Sequence, residues 1–334
     1  MINPYWNKGF FEFFGLLLTR VGNWISGDPS TLASDEIQLL VLTAVAISSA
    51  LVGSFLVLRR MTMLANSLSH TILLGIVGAY LLCGQAVSTE GFSLHILLVA
   101  ALITGLLTTL LTQLLTHLMR VQEDASIGLV FNTLFALGIL LVTLFTRNVH
   151  LGVEAIMGNV DALHFDDLKL IFSVCLLTFG VVLAFFKQFC LVAFDSTYAR
   201  TLGLSPVFYT YLLMVLVSAT SIGAFRAVGV LLFLAFLVGP VLTARLLTHR
   251  LPTLIFLASI FGSLSALIGV ALSRHLFSVY GLALSTSGLV VAVIGFFYLL
   301  AILFAPRQGI LVLAVKKILW KRELASDHQQ QVET

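Results

Sequence analysis

Long apolar stretches separated by short polar segments fill the chain between Ile37 and Ala305. Each stretch is close to the ~20 residues that an α-helix needs to cross the hydrocarbon core of a bilayer. None shows the strict alternation of polar and apolar residues that is typical of a membrane-barrel strand. The pattern therefore predicts an all-α, polytopic transmembrane helical bundle of about nine spans, within a range of about eight to ten. The predicted spans are residues 37–58, 63–83, 94–116, 127–146, 168–186, 207–224, 227–247, 253–273 and 285–305.

Both ends of the chain differ from this pattern. The apolar stretch GFFEFFGLLL near the N-terminus is short and is interrupted by Glu12. We therefore predict an N-terminal interfacial segment over residues 1–36, with a tenth span as the alternative. The transmembrane domain then covers residues 37–305. Residues 306–334 form a C-terminal tail that begins as a basic amphipathic stretch and ends polar.

The distribution of positive charge predicts the orientation of the bundle. The chain is 59% hydrophobic and 10% charged, and its net charge is only +3, so the location of the charges is more informative than their sum. If the first span runs from outside to inside, twelve Lys and Arg residues lie in the inner loops and the C-terminal tail, and four lie in the outer loops. The positive-inside rule then places the N-terminus outside and the C-terminus in the cytoplasm.

Several catalytic motifs are missing from the sequence. It contains no GxxxxGK[ST] motif, which excludes ATP binding through a P-loop, and neither HExxH nor GxSxG. No arginine-rich helix is present, which argues against voltage sensing. We therefore expect no enzymatic activity, no catalytic residue and no cofactor bound by this chain.

His70 is the clearest ionisable residue inside a predicted span, and Asn66 lies four residues before it on the same helix face. An imidazole in a membrane helix usually faces the bundle interior or a water-filled path. One interpretation is a transient ligand for a divalent transition metal, since neutral imidazole suits zinc, manganese and iron. The other is a histidine held by an interhelical hydrogen bond. One His with one Asn would bind a metal ion only weakly. Weak binding suits a permeation path, because the ion has to be released.

Small residues and one proline mark places where helices approach each other or bend. Gly75 and Gly229 are glycines of the kind that let membrane helices pack closely. Pro240 lies inside the seventh predicted span, where its missing N–H should kink the helix. Gly229 and Pro240 are therefore candidates for gating, and plain helix packing is the alternative interpretation of both.

Four blocks of sequence resemble the permeases of ABC importers for zinc, manganese and iron. In the first, Arg59 and Arg60 match the basic start of the family motif. Leu68, Ser69 and His70 match its Leu-Ser-His. Asn66 departs from the motif, which has Asp at that position. The blocks occur in the family's order and cover roughly residues 55–275. They are RRMTMLANSLSHTILLGIVGAYLL (59–82), EDASIGLVFNTLFALGILL (123–141), FDSTYARTLGL (194–204) and FRAVGVLLFLAFLVGPVLTARLL (225–247).

The resemblance implies a BtuC-like importer permease fold in a bacterial inner membrane. It implies that the cargo is a divalent metal ion that passes His70. The same role is less clear for Asn66, because an amide attracts a dication less than a carboxylate does. The implied partners are cytoplasmic ABC ATPase subunits, a second permease subunit of the same or a different kind, an external metal-binding protein and membrane lipids. No nucleic-acid partner is expected.

The resemblance also implies that a short cytoplasmic helix docks on the ATPase. The residues that match this coupling segment are Asp195, Tyr198, Ala199, Gly203 and Leu204. Asp195 is placed to cap the start of the helix, and Gly203 is placed to end it.

Two rival functions are weighed against this one. The first is a secondary transporter of an organic substrate, for which inverted repeats and buried charge pairs are expected. The second is a membrane-embedded enzyme or assembly factor, for which a catalytic cluster within the spans is expected. The sequence shows none of these features clearly.

Overall fold

The computed structural model describes residues 4–6, 9–25, 33–83, 94–145 and 158–305, with the single residues 309 and 312. Every secondary-structure element in this part of the chain is helical, which confirms the all-α prediction. Most of the predicted tail over residues 306–334, and most of the outer loop between the fourth and fifth predicted spans, lie outside the described residues. The helices are α1 (Phe10–Ile25), α2 (Ser34–Leu58), α3 (Thr62–Cys83), α4 (Leu94–Leu118), α5 (Glu123–Phe145), α6 (Phe165–Ala184), α7 (Phe186–Phe194), α8 (Ser196–Thr201), α9 (Pro206–Val228), α10 (Val230–Leu247), α11 (Leu251–Tyr280) and α12 (Thr286–Phe304), with a 3-10 turn at Val160–Ala162.

Each predicted span coincides with one long helix, and at two boundaries the helix continues beyond the predicted end as far as a glycine. The break between the sixth and seventh spans was predicted at residues 225–226, whereas α9 continues to Val228 and the chain turns at Gly229 with φ +82. The eighth span was predicted to end at residue 273, whereas α11 continues to Tyr280 and ends at Gly281 in the left-handed conformation. Glycine takes these positive φ values without the steric cost of a Cβ.

Within the described residues, seven helices are long and apolar enough to cross a membrane, namely α2, α5, α6, α9, α10, α11 and α12. The helices α3 and α4 have 22 and 25 residues, which is also enough to cross the hydrocarbon core. The short helix α8 has six residues and lies in the segment between α6 and α9 that is predicted to be cytoplasmic.

Helix α2 forms the centre of the bundle. In its most hydrophobic window, 83% of the residues are buried, and it packs against α6, α10 and α11. Gly53 lets the backbones of α2 and α10 approach, because a Cβ added to it would lie only 2.2 Å from the carbonyl oxygen of Leu237. The close approach of two helices through a glycine is typical of membrane bundles.

Helices α3, α4 and α5 pack together as a second group, which α9 connects to the central helices. Helices α3 and α4 meet along a row of small and hydroxyl-bearing residues. The hydroxyl oxygens of Thr108 and Thr71 lie 3.0 Å apart, within hydrogen-bond distance, and a Cβ on Gly75 would lie 2.4 Å from Oγ1 of Thr104. Since Thr104 and Thr108 also bond back to carbonyls one turn earlier, their hydroxyls are satisfied without water.

The N-terminal helix α1 is tied to the start of α2 by a polar cluster. The hydroxyl of Tyr5 donates to Glu36 at 2.8 Å, and Arg20 forms an ion pair with the same carboxylate. Burial, together with this hydrogen bond, raises the pKa of Tyr5 above its ordinary value. With 16 residues, α1 is about 24 Å long. The interfacial location of this segment stays a prediction.

Candidate metal path and coupling helix

His70 is part of α3, and its side chain contacts α5. Its side chain is half-buried, and its ring centroid lies 5.1 Å from that of Phe131 and 5.3 Å from that of Phe135. The two phenylalanines, one turn apart on α5, are stacked at 5.8 Å. These described contacts of His70 are with aromatic rings, so the structure does not supply the interhelical hydrogen bond of the alternative interpretation. Part of the imidazole therefore stays accessible from outside this chain.

Asn66 lies on α3 one turn before His70 and is exposed on the surface of the chain. The structure thus brings the two predicted residues to one accessible edge of the bundle, as their spacing indicated. No group of three or more His, Cys, Asp or Glu side chains that could hold a metal ion occurs among the described residues. This edge could therefore hold a passing ion only weakly, unless groups from outside the chain complete the site.

Sequence reasoning missed a third polar residue at this edge. Asn132 follows Phe131 on α5, and its side chain is exposed. An amide in the middle of a span is costly in lipid, which is the signal that could have drawn attention to it. Its exposure could not be inferred from the sequence, because that depends on which side of α5 packs against α3.

The coupling segment has the local geometry that its residues predict. Asp195 accepts hydrogen bonds through Oδ1 from the backbone N–H groups of Thr197 and Tyr198, both at 2.9 Å. At the other end, Gly203 has φ +78, and the N–H of Leu204 donates to the carbonyl of Ala199 at 3.0 Å. These are a side-chain N-cap and a Schellman C-cap, so both caps of α8 are confirmed.

Three apolar side chains extend from this segment into solvent. Phe194, Tyr198 and Leu202 are 66%, 53% and 56% exposed, whereas Ala199 is fully buried. Tyr198 and Leu202 are four apart, which places them on one side of α8, and Phe194 is the last residue of α7, just before the extended Asp195. Large apolar groups on the outside of a capped helix are typical of a protein interaction site. The sequence predicted Tyr198 here but missed Phe194 and Leu202.

Comparison with known proteins identifies the family. Residues 36–305 match the ABC 3 transport family. The chain belongs to this family. A probable metal transport system membrane protein of Chlamydia trachomatis is 41% identical over 317 residues, which cover 94% of this chain and 98% of that protein. The manganese transport system membrane protein MntD of Bacillus subtilis is 36% identical over 300 residues, which cover 84% of this chain and 95% of MntD.

A solved structure supports the same fold for this ABC 3 family chain. PsaBC from Streptococcus pneumoniae, solved in complex with Fab, superimposes with a TM-score of 0.69 and 27% identity. The match covers 88% of this chain and 99% of that one. The arrangement of helices described above is therefore that of an ABC transporter permease.

At the predicted outer end of this ABC 3 permease, hydrogen bonds around the 3-10 turn connect three segments. Asp161 accepts hydrogen bonds through Oδ1 from Gln38 at 3.0 Å and from Thr286 at 2.5 Å. These bonds connect the segment before α6 to the starts of α2 and α12. Beside them, Asp35 is 1% exposed and forms an ion pair with Arg274. Sequence reasoning placed Asp35 outside the first span and did not predict this pair.

Gly229 and Pro240 occupy different positions in the ABC 3 permease. Gly229 is the junction between α9 and α10, and Gly158 packs so closely on it that an added Cβ would lie 2.2 Å from the Gly229 nitrogen. Pro240 is buried inside α10, and its Cγ faces Gly262 of α11. Both positions fit helix packing, and a gating role stays a prediction for each of them.

Proposed function

We propose that the chain is the membrane permease subunit of an ATP-driven importer for divalent transition metal ions. In this proposal, an external binding protein delivers the metal, a second permease chain completes the path, and two cytoplasmic ATPases drive transport. The observation that carries it is the doubly capped helix α8, whose apolar side is exposed at the predicted cytoplasmic face. Since the sequence has no P-loop, this helix is the proposed attachment point for a separate ATPase.

Manganese is the first cargo to test, because the relative MntD carries that metal in its name, and iron and zinc follow. Each of these ions accepts an imidazole nitrogen together with oxygen ligands. His70 and Asn66 supply one nitrogen and one amide at the accessible edge. The amide replaces the carboxylate of the family motif and weakens the attraction for the ion, which favours release over retention.

The ion pairs in the structure give only limited support to the rival hypothesis of a secondary transporter. Asp35 pairs with Arg274, and Glu36 pairs with Arg20, so charge pairs do exist that were not evident in the sequence. Both acids lie in the first turn of α2. Coupling sites of secondary transporters lie near the bilayer midplane, which does not match this position.

The test of the proposed function is metal uptake into vesicles that contain the permease together with its ATPase and binding protein. We expect radioactive manganese to accumulate only with ATP, magnesium and all of the partners present. The permease alone should hydrolyse ATP no faster than protein-free vesicles do. Accumulation driven by a proton or sodium gradient without ATP would instead support the secondary transporter.

A second prediction concerns coupling through α8. Gly203→Ala introduces a Cβ at φ +78, which costs about 1–2 kcal/mol in the left-handed region, and Asp195→Ala removes a cap that contributes roughly 1 kcal/mol. Combined, they should unfold this short helix and lower metal-stimulated ATPase activity and uptake by at least about tenfold, since 1.4 kcal/mol corresponds to a factor of ten.

The control for this prediction is Gly180→Ala, because an added Cβ on Gly180 of α6 meets no atom within 4 Å. Thermal unfolding in detergent should be similar for the control and the double variant, since α8 contributes little to the core. Normal coupling in the double variant would place the ATPase attachment site elsewhere on the chain.

A further inference from the structure

Asn132 is an exposed amide in the apolar surface of α5. It lies nine residues after Glu123, the first residue of the helix, or about 14 Å along the helix axis. This is close to the middle of a hydrocarbon core of about 30 Å. The neighbouring exposed residues Leu129, Ile139 and Leu140 are apolar, with exposures of 55%, 46% and 54%. Asn132 therefore interrupts a surface that is otherwise suited to lipid.

A carboxamide at this depth has no favourable lipid environment. Transfer of an amide from water to hydrocarbon without a hydrogen bond costs about 4–8 kcal/mol. Within the described part of the chain, the Asn132 side chain has no hydrogen-bond partner. The adjacent Thr133 is also exposed, but its hydroxyl bonds to the carbonyl of Leu129 at 2.8 Å and so satisfies its donor. The side chain of Asn132 is too short to reach the headgroups from mid-depth.

The position of Asn132 is level with His70. The His70 ring contacts Phe131 and Phe135, the residues one before and three after Asn132. On a helix with 3.6 residues per turn, Asn132 points about 100° away from Phe131, on the side of α5 opposite to the buried Leu134. The accessible edge of the bundle therefore carries an imidazole and a carboxamide at one depth, and Asn66 lies about one turn closer to the predicted cytoplasmic side.

We propose that Asn132 faces a second permease chain across a hydrated path, and that its carboxamide oxygen is a further transient ligand of the transported dication. This inference rests on the proposed function and adds to it a residue and a surface. The surface is the edge formed by α3 and α5, where lipid is replaced by the partner permease. An amide oxygen suits manganese and iron at this point because it adds coordination without a charge that would hold the ion.

The first experiment compares substitutions of Asn132 in the complete transporter. Asn132→Leu removes both the oxygen and the polarity, and we expect manganese uptake to fall by at least about fivefold while the assembled complex forms normally. Asn132→Asp keeps an oxygen in place and should retain uptake with a lower KM for manganese. The control Thr133→Val changes an exposed polar residue that already has its partner, and it should transport like the parent. Normal uptake and KM in Asn132→Leu would overturn the inference.

The second experiment asks directly whether water reaches this residue. In a variant whose three native cysteines are replaced by alanine, Asn132→Cys should react with a charged, membrane-impermeant thiol reagent, and manganese should slow the reaction. Leu140→Cys, on the apolar part of the same helix, should not react. An unreactive Asn132→Cys in the assembled complex would show that lipid or tightly packed protein covers it and would overturn the inference.

The two experiments also separate this inference from the proposed function. If the complete transporter moves no metal at all, the proposed function fails, whereas the thiol reaction still reports whether a hydrated path passes Asn132. If metal uptake is normal and depends on His70, but Asn132→Leu transports like the parent, the function stands and the inference about Asn132 is wrong.

Discussion

Replacing His70 with alanine is expected to reduce manganese uptake by the assembled transporter about tenfold or more. In the proposed function, its half-buried imidazole on the edge of α3 and α5 is a nitrogen ligand for a dication that exchanges part of its water shell there. The loss of one ligand that contributes ~1.4 kcal/mol at the highest barrier of the path gives a tenfold slower rate. Uptake of radioactive manganese, iron and zinc into vesicles measures the effect for each metal.

A second substitution separates ligation from packing. His70→Phe keeps an aromatic ring against Phe131 and Phe135 but removes both nitrogens, so we expect the same loss of uptake with normal assembly. His249→Ala is the matched control, because this histidine is exposed just after α10, away from the α3–α5 edge. If His70→Phe transports like the parent, the ring acts only through packing and the metal-ligand interpretation is wrong.

The largest loss of stability is expected from Gly53→Ala. The added Cβ would lie 2.2 Å from the carbonyl oxygen of Leu237 and 3.1 Å from its carbonyl carbon, and backbone atoms cannot move aside without shifting a helix. Overpacking of this kind costs about 1–3 kcal/mol or more. We expect a clear decrease in the apparent Tm of the detergent-solubilised protein, measured by fluorescence or by size-exclusion chromatography after heating.

Substitutions of two other glycines provide Tm values for comparison with Gly53→Ala. A Cβ added to Gly239 would lie 2.3 Å from Cγ2 of Ile294, but that atom belongs to a side chain that can move, so Gly239→Ala should lower Tm less than Gly53→Ala does. Gly180 has open space around it, so Gly180→Ala should be neutral or raise Tm slightly, because alanine favours a helix. Equal Tm values for all three variants would contradict the close contact between α2 and α10.

Features that depend on local chemistry were predictable from the sequence. The spans follow from runs of apolar residues, and both caps of α8 follow from an Asp and a Gly at the correct spacing. Asp195 and Gly203 perform these roles with backbone groups within nine residues of each other. The shared edge of Asn66 and His70 also follows from helical spacing alone.

Features that depend on distant partners were not predictable in the same way. Asp35 was assigned to the N-terminal segment because the first long apolar stretch begins at Ile37, and its partner Arg274 is 239 residues away. The end of α9 was misplaced because hydropathy treats Arg226 as the limit of a span, whereas the backbone turns only at Gly229. Asn132 was overlooked because its exposure is a property of the packed bundle.

The connection between α1 and α2 has a practical consequence for producing the protein. Glu36 is 9% exposed, and its carboxylate depends on Arg20 and Tyr5 for its ion pair and a hydrogen bond. Trimming the first 30 or so residues as a dispensable leader would remove both of these partners, and the stability that the ion pair and the hydrogen bond contribute would be lost with them. An affinity tag is therefore better fused after Thr334 than in place of the N-terminal residues.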